Sequence, residues 1–249
     1  MRWLVSPSPY GQGHRLGIIW LQEPGGHHRI DGDHLAYLHS THDADEDLRS
    51  LDPDLYDRLR LMAAQLGRPV SVRETCRALP SDTVRFDRPL RFDGLAPGDR
   101  AARAVVRQRW FHEARVAVSP CSLVFLDSDD GVAGDAEPRT SSDPTDCGVL
   151  MSEVGQLLER RHSVVLHQLV DPTVALADLA LARMRDIHEA LGIEPLVLSE
   201  ESHGRARLFT MIPHERHQSD LHDRIGAMQL SRWGDDIRVH RWRAAYVTA

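Results

Sequence analysis

The sequence predicts an α/β fold built on a largely parallel central sheet whose far edge turns antiparallel. Three observations carry that expectation. Short apolar runs of strand length alternate with amphipathic stretches of helical period through the second half of the chain. Two strand-like runs near residues 196 and 208 lie too close together for a helical crossover, so they pair as a hairpin. Finally, 249 residues, of which 41% are hydrophobic and 27% charged, are enough to bury a substantial core. A single α/β domain over 1–249 is expected, with an irregular arm at 1–15, a first strand and helical elaboration at 16–118, and the main α/β half at 119–249.

The elements follow in order. The first fifteen residues are rich in Pro, Gly and Ser and lead into Leu16-Gly-Ile-Ile-Trp20-Leu21, the first buried-strand candidate. From Glu23 to Asp47 the chain is polar, with His27, His28, His34, His39 and His42 interleaved with Asp31, Asp33, Asp43 and Asp45, and reads as a loop or broken helix. Asp52-Pro53 is a helix start, with Leu55, Leu59, Met62, Ala63 and Leu66 at helical spacing before Gly67. A second helix is signalled from about Gly98 to Val118 by Ala101, Ala104, Val105, Trp110 and Ala114. Leu123-Val-Phe-Leu126 is a short strand, followed by a polar loop to Cys147, a helix near 149–160 and the strand run Ser163-Val-Val-Leu-His167. Val174 to Leu191 is a long amphipathic helix closed by Gly192. Strands at 195–199 and 205–212, a helix at 221–231 and an alternating strand at 237–242 complete the series.

Composition excludes several chemistries. All thirty residues counted as Lys plus Arg are Arg, and Asn is absent too. Without Lys there is no Schiff-base lysine, no pyridoxal phosphate aldimine and no Gly-Lys-Ser/Thr phosphate loop; without Asn there is no N-glycosylation site. A formal net charge of -7 gives no global positive field, so a nucleic-acid partner is not expected. Cys76, Cys121 and Cys147 lie far apart without a Cys-x-x-Cys pair and read as free thiols of a cytoplasmic protein. No signal peptide or membrane helix is expected.

The sharpest local signal is Leu123-Val-Phe-Leu-Asp127-Ser-Asp129-Asp130-Gly131, which places carboxylates just past the end of a strand, where open α/β sheets bind ligands. His167-Gln168 ends the next parallel strand at the same edge, and a neutral imidazole there suits a general base. Asp127, His167 and Asp31 are therefore the catalytic candidates. Arg15, before the first strand, and Arg109 are candidate anion clamps, because a guanidinium offers a bidentate fork. Trp20, His34, Asp129 and Gln168 complete the candidate substrate-binding set. The Asp31-Gly-Asp33-His34 region matches no tetrahedral zinc spacing, and no metal is expected.

Five segments, Arg15-Leu-Gly-Ile-Ile-Trp20, Asp31-Gly-Asp-His34-Leu-Ala-Tyr37-Leu, Asp52-Pro-Asp-Leu-Tyr-Asp-Arg-Leu59, Leu123 to Gly131 and Ser163-Val-Val-Leu-His-Gln168, fall in the order seen in a family of bacterial methyltransferase-like proteins. The chain resembles that family from Arg15 to about Gln168. The fourth segment in the family usually reads Leu-Asp-Pro-Asp-Asn-Gly. The resemblance implies a Rossmann-like architecture akin to that of S-adenosylmethionine-dependent methyltransferases, with Asp127 facing substrate. The departures are Ser128 for Pro, Asp130 for Asn, Cys147-Gly148 for Lys-Tyr, His167 for an aromatic, and the lack of a Gly-x-Gly turn after a strand. A shell without its cofactor signatures resembles a repurposed scaffold, akin to the aziridine-forming, sulfate-eliminating enzymes of azinomycin-type antibiotic biosynthesis. It implies a cofactor-independent lyase acting on a small anionic amino-acid-derived intermediate of secondary metabolism, with a stabilising partner subunit. The alternative is an S-adenosylmethionine-dependent methyltransferase acting on a small molecule or nucleobase.

Overall fold

The computed structural model describes residues 2–6, 13–21, 49–66, 78–96, 98–128, 131–133, 148–171, 173–202 and 205–242. The chain divides into two compact units, one chiefly Trp3–Pro24 with Thr83–Ala249, the other chiefly Gly25–Asp82.

The larger unit holds a seven-stranded mixed sheet in the order β2-β1-β3-β6-β8-β7-β9. Its strands are β1 (Leu16–Trp20), β2 (Val84–Phe86), β3 (Leu123–Asp127), β6 (Ser163–Val170), β7 (Leu196–Ser202), β8 (Arg205–Ile212) and β9 (Ile237–Arg241). The first four positions in that order are mutually parallel, and β8, β7 and β9 each pair antiparallel to their neighbours. A separate two-stranded pair joins β4 (Val132–Ala133) to β5 (Val149–Leu150).

Period-two alternation sends the two sets of strand side chains to opposite faces. One face carries Ile19, Val124, Leu126, Val164, Leu166 and Ile212 into the main core. That core is closed by Trp110, Phe111 and Ala114 of α3 (Arg100–Ala117), Val154, Leu157 and Leu158 of α4 (Met151–Glu159), and Ile187 of α5 (Leu176–Leu191). Further along the same face, Ala180 and Met184 of α5 pack on Val170, Val197, Ala206 and Leu208. On the opposite face Ile18, Leu123, Val165, Met211 and Leu196 are buried toward the amino ends of the parallel strands, as are Leu221, Ile225 and Met228 of α6 (Gln218–Gln229).

Local signals set the helix ends. The Asp99 carboxylate accepts from the Ala102 N–H and starts α3, and Gly192 closes α5 in the left-handed region at φ 68°. In the smaller unit the Asp52 carboxylate accepts from the Leu55 N–H at the head of α2 (Pro53–Leu66), whose Tyr56, Leu59 and Ala63 cluster with Ala78.

Several expectations need correction. The arm at 1–15 is not irregular throughout: α1 (Arg2–Val5) is helical, and its Leu4 and Val5 are buried. Arg224 of α6 donates to the Trp3 and Ser6 carbonyls, supplying acceptors' partners that a four-residue helix leaves open. The 16–118 region is not only helical after its first strand, since Val84–Phe86 adds a parallel edge to β1. A short helix, α7 (Trp233–Asp236), precedes β9. Val132–Ala133 and Val149–Leu150, expected within a polar loop and at the start of a helix, pair instead as β4 and β5, and a 3-10 turn at Glu215–His217 precedes α6; the other elements differ from expectation only at their ends.

Candidate active site

The order of the parallel strands reverses between β1 and β3, with β2 following β1 on one side and β6 following β3 on the other. The crevice outside the carboxyl ends of such strands is the topological switch point where open α/β sheets bind ligands. One row of in-register residues crosses this edge: Trp20 on β1, Asp127 on β3, His167 on β6 and Phe209 on β8.

Neighbouring in-register side chains share a face, and here two of them bond. His167 Nδ1 lies 2.8 Å from Asp127 Oδ1, with the two side chains 14% and 19% exposed. Acting as the acceptor, the carboxylate takes the Nδ1–H and leaves Nε2 as the basic nitrogen. No described residue bonds to Nε2. The imidazole is stacked against Phe209 on one side, centroids 5.3 Å apart at 29°, and against Phe125, 6.2 Å away at 23°. Two aromatic walls and one oriented carboxylate thus fix the ring's plane and tautomer. The Leu21 N–H donates to the Asp127 carbonyl and continues the β1–β3 ladder past Trp20.

Just past Asp127, Ser128 and Gly131 bond to each other. Ser128 is buried and its hydroxyl donates to the Gly131 carbonyl, while the Gly131 N–H donates to the Ser128 carbonyl. Gly131 sits at φ 69°, and a Cβ there would meet Gln168 Cδ and Oε1 at 2.6 Å. Gln168, expected to bind substrate, instead faces away from His167 and packs over this turn.

The other sequence candidates separate. Trp20 is buried beside Asp127. Arg15 lies at the amino end of β1, where its carbonyl accepts from Ser122 and Leu123, one strand length from the dyad. Arg109 is exposed on α3, the helix that covers the other sheet face. Neither arginine clamps an anion beside Asp127 and His167. Asp31, His34, Asp129 and Asp130 lie outside the described residues, as do Cys76 and Cys147; Cys121 is a buried free thiol. Among the described residues no group of three or more His, Cys, Asp or Glu is placed to hold a metal ion, and no helix is long and apolar enough to cross a membrane.

Two buried charged clusters lie outside the sequence candidates. Arg107 forms a buried fork with Glu153, Nε to Oε1 and Nη2 to Oε2 both 2.7 Å, and Nη2 also donates to the Gly148 carbonyl at 2.6 Å. Arg103, Arg107, Trp110 and Ala114 fall on one helical stripe, so the inward arginines could have been read from spacing. At the amino edge of the sheet, His14 bonds Ser122 Oγ through Nδ1 at 3.1 Å and Asp220 Oδ2 through Nε2 at 2.7 Å, with Arg224 Nε also 2.7 Å from that oxygen. Burial holds His14 below the ordinary 6.5, outweighing the bond from Asp220. Asp220 is raised by burial but lowered on balance by its bonds to Arg224 and His14. His217, 5.0 Å from His14 ring to ring, is pushed down to about 4 by burial, with the neighbouring His14 and His214 adding to the effect. This cluster ties α6 to the entry of β1.

No protein-family model matches the chain, and no curated protein matches it significantly.

Proposed function

We propose that the chain is a cofactor-independent lyase-type enzyme in which His167 is the general base and Asp127 its orienter. The observation that carries this reading is the bonded Asp127–His167 pair at the switch point, with Nε2 unengaged by described residues. A small, anionic, amino-acid-derived molecule is the proposed substrate. The proposed reaction is intramolecular: an ammonium loses its proton to Nε2, the freed lone pair forms a C–N bond, and the C–O bond to sulfate breaks with its electron pair leaving on oxygen. The first product is the protonated aziridine, which passes its second proton to solvent, and the departing group is sulfate, the chemistry implied by the resemblance to aziridine-forming enzymes. Trp20, Phe125 and Phe209 provide apolar walls that exclude water from the base. A role in antibiotic biosynthesis in the cytoplasm, with a partner subunit, belongs to the same proposal.

A second reading, methyl transfer from S-adenosylmethionine to a small molecule or nucleobase, is favoured by the sheet. Its order reversal between β1 and β3, with antiparallel β8 beside β6, supports a Rossmann-like, methyltransferase-like arrangement.

One pair of assays separates the readings. Incubation with 2-aminoethyl hydrogen sulfate and related amino-alcohol sulfate esters is expected to release free sulfate, measured by ion chromatography. His167→Gln and Asp127→Asn should lower that rate by about 10²–10⁴-fold, the usual range for a general base. Saturable calorimetric binding of S-adenosylmethionine, with no sulfate release from any ester, would instead assign methyl transfer.

A further inference from the structure

We infer that Arg207 is the oxyanion-binding residue of this site, and that the substrate presents an amine to His167 and a tetrahedral oxyanion ester to Arg207. This inference rests on the reading of Asp127 and His167 as a catalytic pair. It follows from the β6–β8 ladder, which is regular from Val164↔Ile212 to Val170↔Ala206. His167 faces Phe209, and the next pair on the same face is Leu169 with Arg207. Arg207 therefore stands on the dyad's side of the sheet, two residues further out, or roughly 7 Å along the strands. That spacing lies within the reach of a long, flexible arginine side chain, which suits a substrate whose amine and leaving group sit on neighbouring carbons.

The chemistry of the position is that of a prepared clamp. Arg207 Nη1 lies 3.2 Å from Glu200 Oε2 on the in-register residue of β7, and the two side chains are 29% and 24% exposed. Glu200 holds the guanidinium through Nη1, while Nε and Nη2 have no partner among the described residues and remain available as donors to an oxyanion. Leu169, 42% exposed, forms an apolar floor opposite. Arg183 and Arg107 belong to helices that cover the opposite face and bond there, Arg183 to the Val132 carbonyl and Arg107 to Glu153 and Gly148. During ring closure the proton goes to His167 Nε2, and the negative charge that develops on the departing oxygen falls beside Arg207.

Sodium sulfate titrated into the full-length protein at fixed ionic strength, followed by calorimetry and by the His167 ring signal in NMR, tests this. Saturable binding is expected, weakened at least tenfold in Arg207→Gln, partly retained in Arg207→Lys, and strengthened severalfold in Glu200→Gln, which removes the competing carboxylate. Arg109→Gln should leave it unchanged. Inorganic phosphate titrated in parallel decides which ester is preferred, and tighter binding of either oxyanion through Arg207 supports the clamp. Equal binding by wild type and Arg207→Gln, or none by wild type, would overturn it. The dyad is read separately from the ring-nitrogen signals of Asp127→Asn without sulfate, so the two ideas fail independently.

Discussion

Replacing Glu153 by Leu leaves the Arg107 guanidinium buried without its counter-charge. In the native protein these side chains are 3% and 5% exposed and joined by two bonds of 2.7 Å, and Glu153 also accepts from the Leu150 N–H at 3.0 Å. Removing one member of such a pair costs about 3–5 kcal/mol, because an uncompensated charge stays in the interior. For a chain of this size each kcal/mol shifts Tm by about 2–4 °C, so calorimetry should record a fall of roughly 6–20 °C. The double variant Arg107→Met, Glu153→Leu removes both charges. It should regain most of the loss and fall short of wild type by about 1–2 kcal/mol, reflecting the Gly148 carbonyl and Leu150 N–H left without partners. A single-variant loss under about 1 kcal/mol, or a double variant less stable than the single, would show that Glu153 does not compensate the buried Arg107 charge.

Acidification should loosen the amino edge. His14, His162 and His217 all have folded-state values below their ordinary 6.5, so the unfolded chain binds more protons there and stability falls as pH drops from about 6.5 towards the His217 value of about 4. Above that window the contribution is complete, and His217→Gln should flatten the thermal-melt profile across it. Gly192→Ala meets nothing within 4 Å and should cost only the left-handed backbone penalty of about 1–2 kcal/mol, read by urea unfolding. Gly131→Ala adds the clash with Gln168 to the same penalty and should cost more than Gly192→Ala; an equal or smaller cost would remove the packing account of that turn.

Much of the sheet was legible because its inner strands read as continuous apolar runs, as Leu16–Trp20, buried throughout, and Leu123–Leu126 do. Strand β2 was not, since its three residues are only partly buried and include Arg85. Helix α1 escaped because the acceptor for Arg224 lies more than two hundred residues away in sequence, and no local pattern announces such a bond. Within the candidate site, the strand starts at Leu123 and Ser163 bring Asp127 and His167 to one level, although His167 lies inside β6, which runs on to Val170 rather than ending there. That they bond depends on the Asp127↔His167 register, which only the ladder fixes. Arg15 and Arg109 suggest themselves by residue type alone, and chain direction sends the first to the opposite end of its strand from the dyad. The place of Arg207 on the face of His167 escapes a sequence reading, because it depends on the antiparallel pairing of β8 with β6, which inverts the direction along which its neighbours are counted.

The most direct test of the dyad is the nitrogen-15 spectrum of the His167 ring at neutral pH. The account predicts a protonated Nδ1 and a bare Nε2 in the wild type, with Asp127→Asn shifting the ring towards the opposite tautomer. A proton on Nε2 in the wild type, or a pattern unchanged by Asp127→Asn, would contradict the claim that Asp127 holds His167 ready as a base.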